Sequence, residues 1–267
     1  MHTTNPLKTR KTPFSDHPDT KDPQVTAPTA LSTPSRRLLQ LATTAAAASA
    51  ALLAVASPAS ASTIVGSPTS YRLSTVQNPV LDRTEVVRWD PCTPIDFRIN
   101  AALGGRQAKA DVLTAVARLS AASGLQFRYL GSTSYVPTAG RAPLAGSPLV
   151  IAWAPPAGRP SGSSRIGAGE VGHGGWAAST SPAGHYRISS GYVVVRAGAP
   201  LAMGFGAGVT RGRVLMHELG HAVGLDHVAD RTMVMNATVT PSSPTALYQA
   251  GDVAGLRRVG APAGCIS

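Results

Sequence analysis

The chain is short of acid, of aromatic rings and of cysteine. Aspartate and glutamate number 13 against 24 lysines and arginines, aromatics make up 5% of the 267 residues, and there are two cysteines. The acid deficit leaves a formal charge of +11, which raises nucleic acid or an anionic surface as a partner. The basic residues are scattered rather than clustered with aromatics, and beyond residue 61 Lys109 is the only lysine. Nucleic-acid binding is therefore a poor reading, and weak adhesion to an anionic cell surface a better one. Long apolar runs are also missing, with one exception at residues 41–56, rich in Ala, Leu and Val. That run falls short of the roughly 20 residues that span a bilayer.

The run belongs to an N-terminal region unlike the rest. Residues 1–34 are rich in Thr, Pro, Asp and Lys without apolar periodicity, which reads as an unstructured leader. Residues 35–61 then supply paired positive charge at Arg36 and Arg37, the apolar run, and a small-x-small cleavage site at Ala59-Ser60-Ala61. This is the pattern of a secretory signal, and the Arg pair resembles a twin-arginine signal as much as a general secretory one. Cleavage after Ala61 removes six Lys/Arg and three Asp, leaving a chain of net charge +8, secreted, without a retained span, and open to association with the cell wall. Residues 62–88 read as an N-terminal extension and 89–267 as the folded domain. In an oxidising compartment the default for Cys92 and Cys265 is a disulfide. A monomer is expected.

The most informative stretch is residues 217–227, which place His217, Glu218, His221, Gly224 and His227 in the pattern H-E-x-x-H-x-x-G-x-x-H. Residues four apart on a helix share one face, about 6 Å apart, so His217 and His221 can grip one ion. Glu218 follows the first ligand and can take a proton from an attacking water without itself binding the metal. Gly224 can adopt the left-handed conformation that ends a helix and reverses the chain, bringing up His227 as third ligand. Three histidine nitrogens leave a fourth tetrahedral position open, which is the arrangement of catalytic rather than structural zinc. A histidine-bearing amphipathic helix with ordinary hydrogen bonds leaves the Gly224 and His227 spacing unexplained. Residues 209–223 read as that helix, with Val214, Leu215, Leu219, Ala222 and Val223 on its packed flank and Thr210 able to cap its start.

The string resembles the metzincin signature of zinc endopeptidases, and its Gly-Leu-Asp-His ending is most similar to the matrixin branch. Met235, eight residues after His227, stands where matrixins place the methionine of the turn beneath the zinc. There are departures. Val228 replaces the usual Ser, and Asn236 and Ala237 replace the aromatic residue and Pro that follow the methionine. The lack of a tyrosine at 237 argues against an astacin-like member. Trp89 to Asp96 faintly resembles the propeptide cysteine switch of matrixins. Residues 62–91 are too few for that family's folded propeptide, however, and a strand pattern starts at Ile95.

Beyond Cys92 the periodicities are orderly. Ile95, Phe97 and Ile99 alternate with polar residues as in a half-buried strand, 111–122 carries helical spacing, and 125–130 and 148–154 read as strands. The second of these is nearly continuous in apolar residues and is expected to be central. Residues 131–146 form a Pro/Gly-rich loop, 170–178 and 186–196 read as further strands, and a last helix covers 252–259. The resemblance implies an α+β metzincin-like fold: a twisted, mostly parallel five-stranded sheet with an edge strand over the zinc, an active-site helix and a C-terminal helix.

Gly172, His173 and Gly174 fall where the family presents that edge strand. Such an edge can bind an extended peptide, with glycine letting it come close; an ordinary Gly-rich loop is the competing reading. The resemblance implies one catalytic zinc. The structural zinc of matrixins, held by three histidines and an aspartate, is not expected: His173 and His185 are present, but Gly175 stands where the aspartate would be. Arg213 either reaches toward the specificity pocket or lies exposed with a buried stem. Asp252 either caps the last helix or bonds to the Met-turn, with no catalytic part. The implied protein is a secreted zinc endopeptidase acting on peptides; the alternative is a non-catalytic, zinc-containing surface binding protein, against which the intact Glu218 argues.

Overall fold

The computed structural model describes residues 63–138, 148–156, 166–167 and 169–267. The leader, the signal segment and residues 139–146 of the 131–146 loop lie outside the described residues. In chain order the elements are β1 (Arg72–Leu73), β2 (Thr75–Asn78), β3 (Arg83–Val86), β4 (Ile95–Asn100), α1 (Ala108–Ser123), β5 (Phe127–Ser132), β6 (Leu149–Ala154), β7 (Gly172–Thr180), β8 (Tyr186–Arg196), α2 (Arg211–Ala222), β9 (Leu225–Asp226) and α3 (Ala250–Val259).

The main sheet has the order β5-β4-β6-β8-β7. The first four strands run parallel and β7 lies antiparallel against β8 at the edge. This is the α+β arrangement expected, with three α-helices among the described residues and a mostly parallel five-stranded sheet. Parallel strands covered on both faces read as unbroken apolar runs, and β6, buried at every residue, is the central strand of the five, as expected. Ile95, Phe97, Ile99, Leu149, Ile151, Trp153, Val193 and Val195 face one core, which they share with Val112, Val116 and Leu119 of α1 and Val214, Leu215 and Leu219 of α2. Val194, Tyr192, Ala154 and Ile166 form a smaller cluster on the opposite face. Alternation along the strands thus assigns each side chain to one layer.

The element ends depart from the periodic pattern for local reasons. Helix α1 runs on to Ser123 because Gly124, at φ 73°, takes the left-handed position and returns its amide to the Ser120 carbonyl. Helix α3 starts at Ala250, two residues before Asp252. Gln249 is its N-cap, and Asp252 reaches back to accept from the Gln249 amide at 2.9 Å, as in a capping box.

Residues 63–88, which the sequence presents as an extension, are built into the domain. Strands β2 and β3 pair as an antiparallel hairpin, and β1 pairs antiparallel with β9, placing Arg72 opposite Asp226 and Leu73 opposite Leu225. Cys92 and Cys265 form a disulfide across a sequence separation of 173, so the cysteine-switch alternative does not apply to this structure.

Candidate functional site

Helix α2 carries the first two histidines of the motif. Thr210 is extended and its side chain accepts from the Arg213 amide at 3.3 Å, an N-cap as the sequence suggested. Val214, Leu215, Met216, Leu219 and Ala222 bury one flank, leaving His217 and His221 on another. The helix stops at Ala222, and Gly224 sits at φ 103°. A Cβ there would also lie 2.4 Å from the Val87 carbonyl oxygen, so both backbone conformation and close packing require glycine. The turned chain brings His227 back over the helix.

The three Nε2 atoms converge. His217 and His227 are 3.1 Å apart, His217 and His221 3.1 Å, and His221 and His227 3.0 Å. Nitrogens held at about 2.0–2.1 Å from a tetrahedral ion lie about 3.3–3.4 Å apart, so this triangle fits zinc with only a small expansion. The outer nitrogens are already committed. His217 Nδ1 faces the Val234 carbonyl at 2.7 Å and His221 Nδ1 the Leu225 carbonyl at 3.0 Å. Each Nδ1 therefore carries the proton it donates, and each Nε2 lone pair points inward. Burial lowers His217 to about 3, with the neighbouring His221 adding to the effect, and burial lowers His221 to about 4. Both are neutral at pH 7, the form that ligates. The donor set fits a zinc ion.

Glu218 is 6% exposed. Burial pushes its carboxyl up to about 8, against a Gly174 backbone amide that favours the charged form. A divalent cation at the three imidazoles would draw it back down. The carboxyl lies beside β7: a Cβ on Gly172 would be 2.7 Å from Glu218 Oε1, and one on Gly174 would be 2.1 Å from the Glu218 carbonyl oxygen. These glycines thus admit α2, toward which their missing Cβ atoms would point. His173 alternates to the other face and stacks on Tyr192 with centroids 5.9 Å apart. All three residues still border a cleft of about 650 Å³ that also takes in Glu170, Val214, the three histidines, Val234 and Val239.

Met235 lies under this site, where a Cβ on Gly220 would be 2.4 Å from its sulfur. The turn is held by groups whose roles were only partly legible. Asp252 accepts from the Val234 amide at 2.7 Å and the Met235 amide at 3.1 Å, so it both bonds to the turn and completes the cap of α3. Arg213 is buried, with Nη2 donating to the Met233 carbonyl at 2.5 Å and Nη1 to that of Pro244 at 3.3 Å. It is not an exposed arginine: it borders the cleft while its guanidinium is held by these two carbonyls. Asn236, at a departure from the family pattern, donates to the Val228 and Ala229 carbonyls at 2.9 and 3.1 Å, closing the loop between third ligand and turn. His185 sits apart from His173, its Nδ1 2.9 Å from Glu85 Oε1.

Residues 165–259, 95 of the 267, match the family model described as Matrixin. No curated protein matches the chain. The matched segment holds all three histidines, Glu218, Gly224 and Met235, so over the whole of the metal-ready site the chain is similar to the matrixins.

Proposed function

We propose that this protein is a secreted, zinc-dependent endopeptidase in which Glu218 serves as general base and then general acid. The observation that carries the reading is the triangle of Nε2 atoms, 3.0–3.1 Å on each side, beside a buried carboxyl at the floor of an open cleft. His217, His221 and His227 would hold a zinc ion, which when bound would supply the Lewis acidity for polarising a carbonyl and activating water near neutral pH. Glu218 accepts the proton of the attacking water and returns it to the leaving amine. Among the described residues β7 pairs only with β8, so its outer edge offers backbone groups to an extended peptide laid along Gly172 to Gly174. Met235 supports the ligands from below. Export rests on the signal pattern of residues 35–61, and the Cys92–Cys265 disulfide agrees with an oxidising destination.

Glu218→Gln removes the base while keeping the side chain's shape. The variant is expected to retain one zinc per chain by metal analysis and to lose casein hydrolysis by about 10²–10⁴-fold. Undiminished cleavage with zinc bound would refute the assigned role.

A further inference from the structure

Residues 72–74, in the stretch the sequence presents as an extension, run behind the metal loop. The Ser74 amide donates to the Gly224 carbonyl at 2.8 Å, and the Ser74 carbonyl in turn accepts from the Val87 amide at 3.0 Å. Strand β1 pairs with Leu225–Asp226, the two residues between the helix-ending glycine and His227. Both of these residues serve the ligands. The Leu225 carbonyl faces Nδ1 of His221 at 3.0 Å, and Asp226 Oδ1 accepts from the His227 amide at 2.8 Å while Oδ2 lies 3.2 Å from Arg72 Nε. Two of the three histidines are thus oriented by groups whose own backbone is laid against β1.

The segment is anchored farther back as well. The Val65 amide donates to Gln249 Oε1 at 2.8 Å, the Ala250 amide to the Val65 carbonyl at 3.1 Å, and a Cβ on Gly251 would lie 2.2 Å from the Ser70 carbonyl oxygen. Helix α3 and the metal loop are therefore tied by one strap. None of residues 63–88 lines the cleft, so the strap supports the site without covering it.

We infer that β1 with the following Ser74 is a positioning element of the metal centre: by fixing residues 224–226 it sets the Leu225 carbonyl that orients His221 and the Asp226 carboxylate that holds His227. The inference rests on the three-histidine zinc reading and goes beyond it, because the strap lies outside the family-matched segment. It also makes residues 65–76 a required part of the active enzyme rather than an inhibitory extension. Groups that orient a ligand from behind alter metal affinity by about 10–100-fold when lost.

Two measurements on the full chain test this. In the first, amide hydrogen exchange is followed with and without zinc, in a sample whose zinc stoichiometry is determined alongside. Binding free energies couple reciprocally, so zinc is expected to slow exchange at Ser74, whose amide reaches the Gly224 carbonyl, more than at the amides of α1. In the second, Ser74→Pro removes the amide that reaches Gly224. Its zinc dissociation constant, read by chelator competition, is expected to rise about 10–100-fold, and the visible bands of its cobalt-substituted form should shift relative to the parent. A chain that binds no stoichiometric zinc would overturn the zinc reading itself. Stoichiometric zinc with no preferential slowing at Ser74, or a folded Ser74→Pro with parental affinity and cobalt spectrum, would overturn the positioning role alone. Should Ser74→Pro fail to fold, the exchange measurement on the unaltered chain decides.

Discussion

Replacing Gly174 by alanine would put a methyl carbon 2.1 Å from the carbonyl oxygen of Glu218 and 2.8 Å from its carbonyl carbon. Non-bonded heavy atoms rest at about 3.5 Å or more, so the two elements must separate by more than about 1 Å. The obstacle is helix backbone, which cannot swing aside as a side chain can. Overpacking of this kind costs about 1–3 kcal/mol, and with rigid backbone on one side the upper end is expected. The same displacement moves the edge strand relative to Glu218 and the histidines. A misplacement of about 1 Å at a reacting centre can cost about 10²-fold in rate. Gly175→Ala is the internal control, because its Cβ would point to the other face and meet the Tyr192 ring at 2.9 Å, a side chain rather than the backbone of α2. Thermal unfolding of the metal-free proteins and kcat/KM on a peptide, compared between the two variants, give the answer. If Gly174→Ala matches Gly175→Ala in both stability and turnover, the close packing of β7 on α2 is not what those glycines are for.

Two further outcomes concern parts of the molecule away from the cleft. The Glu85 carboxyl is lowered to about 2 by its hydrogen bond from Asn78, with His185, Arg83 and the Tyr186 amide adding to it. Its stabilising contribution is full above the ordinary carboxyl range near 4.5 and is lost as pH falls toward 2. The gap in unfolding temperature between the parent and Glu85→Gln should therefore close as pH drops through that window; a constant gap would contradict the assignment. The Cys92–Cys265 bridge closes a loop across 173 positions, which on the chain-entropy account stabilises by about 5 kcal/mol. The double serine variant should lose most of that in urea unfolding while keeping its zinc, since neither cysteine lines the cleft; a loss under about 1 kcal/mol would argue against the entropic account here.

The parts of this protein that could be read in advance share a short range. The α2 motif is legible because His217, Glu218 and His221 lie within one helical turn and a half, and helix geometry converts that spacing directly into a shared face. Gly224 is legible for a similar reason, since a left-handed position after a helix is a local backbone requirement. β6 and β8 announce themselves by burial on both faces. By contrast, β1 and β9 are two residues each, too short for any periodicity, and they pair across some 150 positions of chain. Gly172 and Gly174 were legible as places of close approach, but only packing shows that the approaching group is the backbone of Glu218.

Arg213 and Asn236 mark the same divide. As a sequence, Arg213 is one helical turn from His217 and free to go either way; its burial against the Met233 and Pro244 carbonyls depends on where a loop twenty and more residues later comes to rest. Asn236 replaces an aromatic residue of the family pattern, and its hydrogen bonds to Val228 and Ala229 exist only once the chain has folded back on itself. The amino-acid sequence alone determined the chemistry, three histidines and a glutamate at helical and turn spacing, because those relations are set by covalent geometry and the pitch of a helix. Tertiary structure decided what holds them in place, the strap, the turn and the buried arginine, because contacts between distant segments follow from which surfaces can be packed together and have no period to reveal them.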